Sequence, residues 1–206
     1  MQSKTLTLAR LTLIVIWATL SSCSSTKGAK QAATEGADQF ASPIHQSVRG
    51  GEKVTEFDLN HDGKPDVWAY TVKAKTPDGR EYDKLVRKEL DINFDGKVDV
   101  VRYYGENEQL EKEAFDFDFD GKVDQWNYYQ KGVLVRKERD TKGSGKPDLW
   151  IYYEKGHIVR KERDVKGLGR VDYWEYWEND RVDRIAEDLD GDGRVDRWTK
   201  APPTGG

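Results

Sequence analysis

Oxygen-bearing side chains recur at fixed positions in six nine-residue loops, which begin at Asp58, Asp91, Asp116, Asp140, Asp164 and Asp188. In four of these loops Asp or Asn occupies positions 1, 3, 5 and 9, and glycine occupies position 6, where the backbone must turn sharply. A hard cation with about six to eight oxygen ligands suits this set better than a transition metal. We therefore predict Ca²⁺ sites with the ligands Asp58, Asn60, Asp62, Asp66, Asp91, Asn93, Asp95, Asp99, Asp116, Asp118, Asp120, Asp124, Asp188, Asp190, Asp192 and Asp196.

The fourth and fifth loops lack this ligand set. Positions 3 and 5 are Lys142 and Ser144 in the fourth loop, and the fifth loop has Lys166 and Leu168 there. We predict metal-free turns in which each lysine ammonium bridges the aspartates at positions 1 and 9 of its own loop. Asp, Asn and Gly also favour plain turns, so a simple turn is the alternative for all six loops. Converging carboxylates repel one another without a cation, which favours calcium in the other four.

The four complete loops resemble those of EF-hands, with one departure. An EF-hand closes its site with a glutamate at position 12, where this chain has Ala69, Arg102, Asn127 and Thr199. Closure would fall instead to the aspartate at position 9. That shorter loop, flanked by strands, is similar to the calcium loops of FG-GAP-type repeats and of thrombospondin type 3 repeats. The resemblance covers only the loops and implies a metal site, not a fold or a biological role.

The loops belong to a repeat, because the last four begin 24 residues apart. An aromatic run follows each loop, and alternation puts Trp126 and Tyr128 on one face of a strand. A tight turn such as Lys131–Gly132 and a second strand with a charged end then lead to the next loop. The sequence thus predicts an all-β antiparallel meander of about six two-strand repeats over residues 52–200.

The overall form of this meander is less defined by the sequence. Apolar residues make up 36% of the chain, below the usual share of about 45–50%. This composition favours an elongated sheet or solenoid, and closure into a propeller-like or barrel-like ring is the alternative. Trp and Tyr are the only large apolar set, so we expect them to form the core.

The N-terminus predicts export. Lys4 and Arg10 precede a short apolar run over residues 11–20. The following Leu20-Ser21-Ser22-Cys23 resembles the lipobox of bacterial lipoproteins, which implies a signal peptide over residues 1–22 and acyl chains on Cys23. With Ser24 next, the resemblance favours the outer membrane of the cell envelope. An ordinary signal peptide is the alternative. Residues 23–51 are predicted to be a flexible tether and residues 201–206 a disordered tail.

The composition narrows the function. The net charge of −4 arises from 38 acidic and 34 basic residues without a basic cluster, so nucleic acid is not an expected partner. The three histidines share no spacing, and we predict no catalytic residues and no enzyme. The leading hypothesis is a membrane-anchored, calcium-stabilised structural or interaction protein that engages an envelope protein or surface polymer. Carbohydrate binding is the alternative, on an aromatic face formed by Trp68, Trp126, Trp150 and Trp174.

A third reading is enzymatic, such as the hydrolysis of a surface polymer. It would require a pocket with paired carboxylates outside the loops.

Overall fold

Residues 42–201, the part of the chain that the computed structural model describes, form one antiparallel sheet of 13 strands. Each strand pairs with its neighbours in sequence. The strands are β1 Pro43–Arg49, β2 Glu52–Phe57, β3 Val67–Lys75, β4 Glu81–Leu90, β5 Val100–Tyr104, β6 Leu110–Phe115, β7 Gln125–Gln130, β8 Val133–Arg139, β9 Leu149–Glu154, β10 His157–Arg163, β11 Tyr173–Glu178, β12 Arg181–Glu187 and β13 Arg197–Lys200. Over this range there is no helix long and apolar enough to span a membrane.

The predicted all-β meander is confirmed, and the sheet is open. Within residues 42–201, β1 pairs with β2 alone and β13 with β12 alone, so these two strands form the edges. The elongated form is therefore correct, and the ring-like closure that the sequence left open is wrong. Turns and nine-residue loops bring every strand next to its partner, so no pairing between the chain's distant ends is needed.

The sheet begins before the predicted boundary at Glu52, which is a correction to the predicted tether. β1 lies inside the tether segment and pairs with β2 across a turn at Gly50 and Gly51. The sequence concealed β1 because nearly all of its side chains are exposed and it lacks the aromatic run. At the other end, the amide of Ala201 donates to the carbonyl of Asp183 at 2.8 Å. The predicted signal peptide, Cys23, the tether up to residue 41 and residues 202–206 lie outside the described residues.

The turns opposite the loops are tight and lie where the sequence predicted them. Lys131 and Gly132 have φ values of 52° and 76°, and positive φ at both central residues defines a type I′ turn. The insertion around residues 75–80 lengthens β3 and β4 and ends in its own turn. In each of the strands β4, β6, β8, β10 and β12, which follow these turns, one extra residue forms a bulge, and the bulges add to the right-handed twist of the sheet.

One face of the sheet carries two rows of side chains that run across the strands. The first, which we name the Trp row, consists of Glu56, Trp68, Glu89, Val101, Ala114, Trp126, Glu138, Trp150, Glu162, Trp174, Ala186 and Trp198. The second, the Tyr row, includes Tyr70, Arg87, Tyr103, Lys112, Tyr128, Arg136, Tyr152, Arg160, Tyr176 and Arg184. The predicted placement of Trp126 and Tyr128 on one face is confirmed.

Contacts between the two rows hold neighbouring strands together. The Arg136 guanidinium lies 4.2 Å from the centre of the Tyr128 ring, and the Tyr128 hydroxyl donates to Glu138 at 2.9 Å. Arg136 also pairs with Glu138 on its own strand at 3.0 Å. In this repeat the ion pair lies along one strand and the tyrosine makes the contact across strands. In the equivalent segments Arg87 and Lys161 also form ion pairs across strands, with Glu52 at 3.2 Å and with Glu175 at 3.9 Å.

The buried apolar residues are mostly small, which corrects the expectation of a Trp and Tyr core. They are Val54, Val67, Tyr70, Val100, Ala114 and Ala186. The tryptophans of β3, β7, β9 and β11 are half-buried, and Trp198 is 56% exposed. Because the described residues form a single layer, no second sheet covers this face, and the large rings are shielded only by their neighbours.

Candidate metal centres

The aspartates at positions 1 and 9 organise the backbone of every loop. In all six loops the position 1 carboxylate accepts the amide of position 6 at 2.5–2.8 Å. The position 9 carboxylate accepts the amide of position 2 at 2.6–2.9 Å. These bonds satisfy amides that the loop would leave unpaired. They explain why the fourth and fifth loops keep both aspartates while losing the oxygen ligands between them.

The same two aspartates also join consecutive loops. The amide of Asp116 donates to the carbonyl of Asp99 at 2.8 Å, and each of the four other junctions repeats this bond at 2.8–3.0 Å. The loops therefore form a continuous array along one end of the strands, the loop edge. Neighbouring loops lie two strands apart, a distance of about 9.6 Å.

The third loop gathers three predicted ligands. Asp116, Asp118 and Asp120 each offer a carboxylate oxygen, and these oxygens lie within 4.8 Å of one another. Asp116 is buried, whereas the other two are exposed. The fourth predicted ligand, Asp124, lies outside this group and accepts the amides of Phe117 and Asp118.

One carboxylate oxygen of Asp116 lacks a partner. Oδ1 of Asp116 is buried without a hydrogen bond. In the other five loops the equivalent oxygen accepts a backbone amide, as Oδ1 of Asp58 does from His61 at 2.7 Å. A buried acceptor without a donor is costly, and a cation between the carboxylates would supply its partner. The third loop therefore fits a hard cation.

The sixth loop forms the second cluster. Oxygens of Asp188, Asp190 and Asp196 lie within 4.8 Å of one another, without Asp192. Burial raises the pKa of Asp188, but the amides of Gly193 and Gly191 donate to its carboxylate and outweigh that effect, so its pKa lies below the ordinary value. The carboxylate form is thus favoured, as a calcium ligand must be.

The first and second loops have the predicted residues without a comparable group of carboxylates. Position 3 is an amide in both, Asn60 and Asn93, and each amide oxygen accepts the amide hydrogen of position 5. Within residues 42–201, three carboxylates converge within 4.8 Å only in the third and sixth loops. Calcium ligation by the first and second loops stays a prediction.

The lysines of the fourth and fifth loops differ from their predicted arrangement. Nζ of Lys142 comes within 3.7 Å of Asp148 in its own loop, but its hydrogen bond goes to the carbonyl of Asp164 in the next loop, at 2.7 Å. Nζ of Lys166 donates to the carbonyls of Asp188 and Leu189, at 2.6 and 2.8 Å. The extended lysine side chain reaches past its own carboxylates, so these ammonium groups link loops.

A shallow groove lies on the face that carries the Tyr row. It is lined by Val135, Tyr152, Tyr153, Glu154, Val159, Arg160 and Tyr176. Glu154 is its one carboxylate. The groove therefore does not provide the pair of carboxylates that acid–base hydrolysis of a glycoside uses.

Comparison with known proteins gives no family for this chain. No family model matches it, and no curated protein matches it either. Among solved structures, accessory secretory protein 1,2 and 3 from Streptococcus pneumoniae is 12% identical, with a TM-score of 0.34 over 60% of this chain and 19% of that one. A GtfA/B complex is also 12% identical, with a TM-score of 0.31 over 77% of this chain and 21% of that one. This chain thus matches about a fifth of the length of either.

Proposed function

We propose that this chain is a calcium-binding structural and interaction protein of the bacterial cell envelope, anchored to the outer membrane by lipid on Cys23. Calcium in the Asp-rich loops stiffens the loop edge, and the long sheet offers its surface to an envelope protein or a surface polymer. Catalysis and nucleic-acid binding have no part in this proposal.

The observation that carries the calcium site is the unpartnered oxygen of Asp116. This residue is only 6% exposed, its Oδ1 has no donor, and its carboxylate belongs to the cluster with Asp118 and Asp120. An uncompensated buried carboxylate oxygen next to two further carboxylates is unfavourable both by desolvation and by repulsion. A divalent cation removes both penalties.

The fourth and fifth loops support the same conclusion by contrast. In the fourth, the amide of Lys142 occupies Oδ1 of Asp140, and the Lys142 ammonium supplies a positive charge to the array. The third loop has an aspartate, Asp118, at the position of that lysine. In the third loop the Lys122 ammonium pairs with Asp120 at 2.9 Å, and a bound ion would neutralise the remaining two carboxylates.

Calorimetric calcium titration of the full chain tests the proposal. We expect three or four sites, with dissociation constants on the order of 10⁻⁴–10⁻³ M, typical of extracellular modules. Asp120→Asn should remove one site, because the amide still accepts the Lys122 backbone hydrogen but the anionic ligand is lost. Ser144→Asn, at the same position of the fourth loop, is the matched control and should leave all sites intact.

The thermal melt gives a second readout. Calcium at one hundred times its dissociation constant should stabilise the fold by about 2.7 kcal/mol per independent site. In the presence of calcium, Asp120→Asn should show a smaller stabilisation than the unsubstituted chain. In the presence of chelator, the two proteins should be equally stable. A melting temperature that neither calcium nor chelator changes would contradict the calcium proposal.

The anchor is tested separately. Mass spectrometry of the chain purified from bacterial membranes should show a mature N-terminus at acylated Cys23, and Cys23→Ser should abolish the acylated species. A mature N-terminus at another residue would mean that the lipid anchor is wrong, while calcium binding would be unaffected.

Carbohydrate binding is the second candidate function, and the uncovered Trp row favours it. Trp126, Trp150 and Trp174 recur two strands apart, about 9.6 Å, on a face without a second layer. Rings at this interval suit stacking against every second unit of an extended polysaccharide. Retention of the chain on insoluble polysaccharides, lost in Trp150→Ala but not in Trp177→Ala on the other face of the sheet, would support this function; equal retention of both variants would contradict it.

A further inference from the structure

The loop edge carries exposed apolar side chains in addition to its carboxylates. Ile92 and Phe94 in the second loop are 51% and 49% exposed, and Phe117 and Phe119 in the third are 49% and 39% exposed. We name these four residues the apolar loop patch. Large apolar side chains concentrated at one exposed place mark an interaction site.

The backbone of the patch is held in a costly conformation. Phe94 and Phe119 occupy position 4 of their loops with φ values of 64° and 63°. This region is disfavoured for a bulky residue, and the fourth, fifth and sixth loops have glycine there instead. The loop therefore folds without an aromatic ring at position 4. The two phenylalanines are not required by the turn.

Phe117 of the patch is held in place before any partner arrives. The ring of Phe117 stacks on Phe115 of β6, with ring centres 5.2 Å apart. Because the second and third loops share the same turn and are joined by the bond from Asp116 to Asp99, positions 2 and 4 recur side by side on both loops. An ordered patch loses less conformational entropy on binding than a mobile one.

The position of the N-terminal strand identifies the partner. Pro43, at the start of β1, pairs with Phe57, which directly precedes the first Asp-rich loop. The chain therefore enters the sheet at the loop edge, the same edge that carries the patch. The tether that the sequence predicts between Cys23 and Ser42 would span about 25 Å on average. A lipid anchor on Cys23 is thus joined to the sheet at the loop edge, which lies nearer to the anchor along the chain than the turn edge does.

We infer that the apolar loop patch docks onto the surface of the membrane that anchors the chain. The rings enter the boundary between headgroups and acyl chains. Lys97 and Lys122, whose side chains are 66% and 60% exposed, flank the patch and pair with Asp95 and Asp120 of their own loops. Calcium on those carboxylates would release both ammonium groups to reach lipid phosphates. This inference rests on the proposed function, since the anchor holds the edge near lipid and calcium neutralises carboxylates that anionic headgroups would repel.

Site-specific fluorescence on the full acylated chain tests this orientation. Cys23 is the only cysteine and is blocked by acylation, so an introduced cysteine takes a single label. A bimane label is placed at Phe117→Cys on the loop edge, or at Lys131→Cys on the turn edge as control. The chain is reconstituted in phosphatidylethanolamine–phosphatidylglycerol vesicles that contain a nitroxide-labelled lipid.

In calcium we expect blue-shifted emission and loss of most of the intensity for the label at position 117, and neither change at position 131. Phe94→Asn with Phe119→Asn should abolish the quenching at 117. Asparagine tolerates positive φ, so this double variant should melt at the same temperature or higher, which separates lost docking from unfolding. His61→Asn, at position 4 of the first loop, is the matched control and should keep the quenching.

Quenching that is absent at 117, or equal at 117 and 131, would overturn the inference. A shielded label at 117 that depends on protein concentration and accompanies dimers in cross-linking would instead assign the patch to a second copy, and would overturn it too. Calcium bound in calorimetry without quenching refutes the docking alone. Quenching that persists in chelator, in a chain that binds no calcium, refutes the calcium site and leaves the docking intact.

Discussion

Nζ of Lys142 in the fourth loop donates to the backbone carbonyl of Asp164 in the fifth, at 2.7 Å. Lys166 repeats this contact one loop further, at 2.6 Å from the carbonyl of Asp188. Both lysines stand at position 3, where the complete loops have an oxygen ligand. The two loops without a calcium ligand set are thus tied to their successors by the chain's own cations.

Replacing either lysine should weaken this part of the sheet. Lys142→Met keeps the length of the side chain but removes the charged donor, and we expect a loss of about 1 kcal/mol, the lower part of the range for hydrogen bonds with a charged partner because the site is half exposed. Urea unfolding measures it. Lys146→Met in the same loop is the control and should change stability little. Equal effects for both variants would mean that the interloop bond contributes nothing.

Asp148 should be essential to its loop even though that loop has no calcium ligand set. Its carboxylate accepts both the amide and the hydroxyl of Thr141, each at 2.8 Å, and the side chain is buried. Asp148→Ala leaves these donors unpaired, and we expect a loss of about 2–3 kcal/mol in urea unfolding, the same in calcium and in chelator. A loss confined to calcium-containing buffer would show that the fourth loop binds metal after all.

Acid should destabilise the fold partly through Asp140. Burial raises the pKa of this carboxyl, but the amides of Ser144, Gly145 and Lys142 outweigh it and hold the pKa below its ordinary value of 3.8. A lowered folded-state pKa gives stability that is present above the unfolded-state value and lost as the pH falls through the folded-state value. When thermal melts are recorded in chelator between pH 6 and pH 2, the melting temperature of Asp140→Asn should therefore fall less with acid than that of the unsubstituted chain. Glu178→Gln, at an exposed carboxylate, is the control. A melting temperature that falls with acid as steeply in Asp140→Asn as in the unsubstituted chain would contradict this prediction.

Tyr129 should be among the last phenols to ionise. Burial, together with the hydrogen bond to the carboxylate of Glu113, raises its pKa to about 12 from 10.0. Since the folded-state pKa is raised, its contribution to stability is present below about pH 10 and is lost as the pH rises towards about 12. Ultraviolet titration of Tyr129→Phe should lack this late phenolate step. If the step is retained, another tyrosine accounts for it.

The repeat and its loops could be derived from the sequence because they depend on local chemistry. Glycine at position 6 and paired positive-φ residues at turns such as Lys131–Gly132 fix the backbone within a few residues. Alternation in the strands fixes which side chains share a face, so Trp126 and Tyr128 were placed correctly. The same alternation cannot reveal an edge strand such as β1, whose side chains are mostly exposed.

The loops of the candidate site could also be predicted, because they too depend on local chemistry, but the final arrangement of their ligands could not. The sequence identified every Asp-rich loop, but it treated Asp66, Asp99, Asp124 and Asp196 alike as closing ligands. In the fold, the position 9 carboxylate is used first by backbone amides, and only Asp196 of this set joins a cluster of three. Small differences in loop geometry decide which carboxylates converge, and composition does not encode them.

By itself, the sequence determined a chain of strand–turn–strand–loop repeats with oxygen-rich loops, because propensity, alternation and turn chemistry act over a few residues. Only the tertiary structure decided that the sheet stays open, that Lys142 reaches the next loop, that Oδ1 of Asp116 is left without a donor and that β1 begins at the loop edge. The reach of Lys142 depends on how neighbouring repeats stack, which brings it to a residue 22 positions away. The free oxygen of Asp116 depends on the exact backbone geometry of its loop, which composition does not encode.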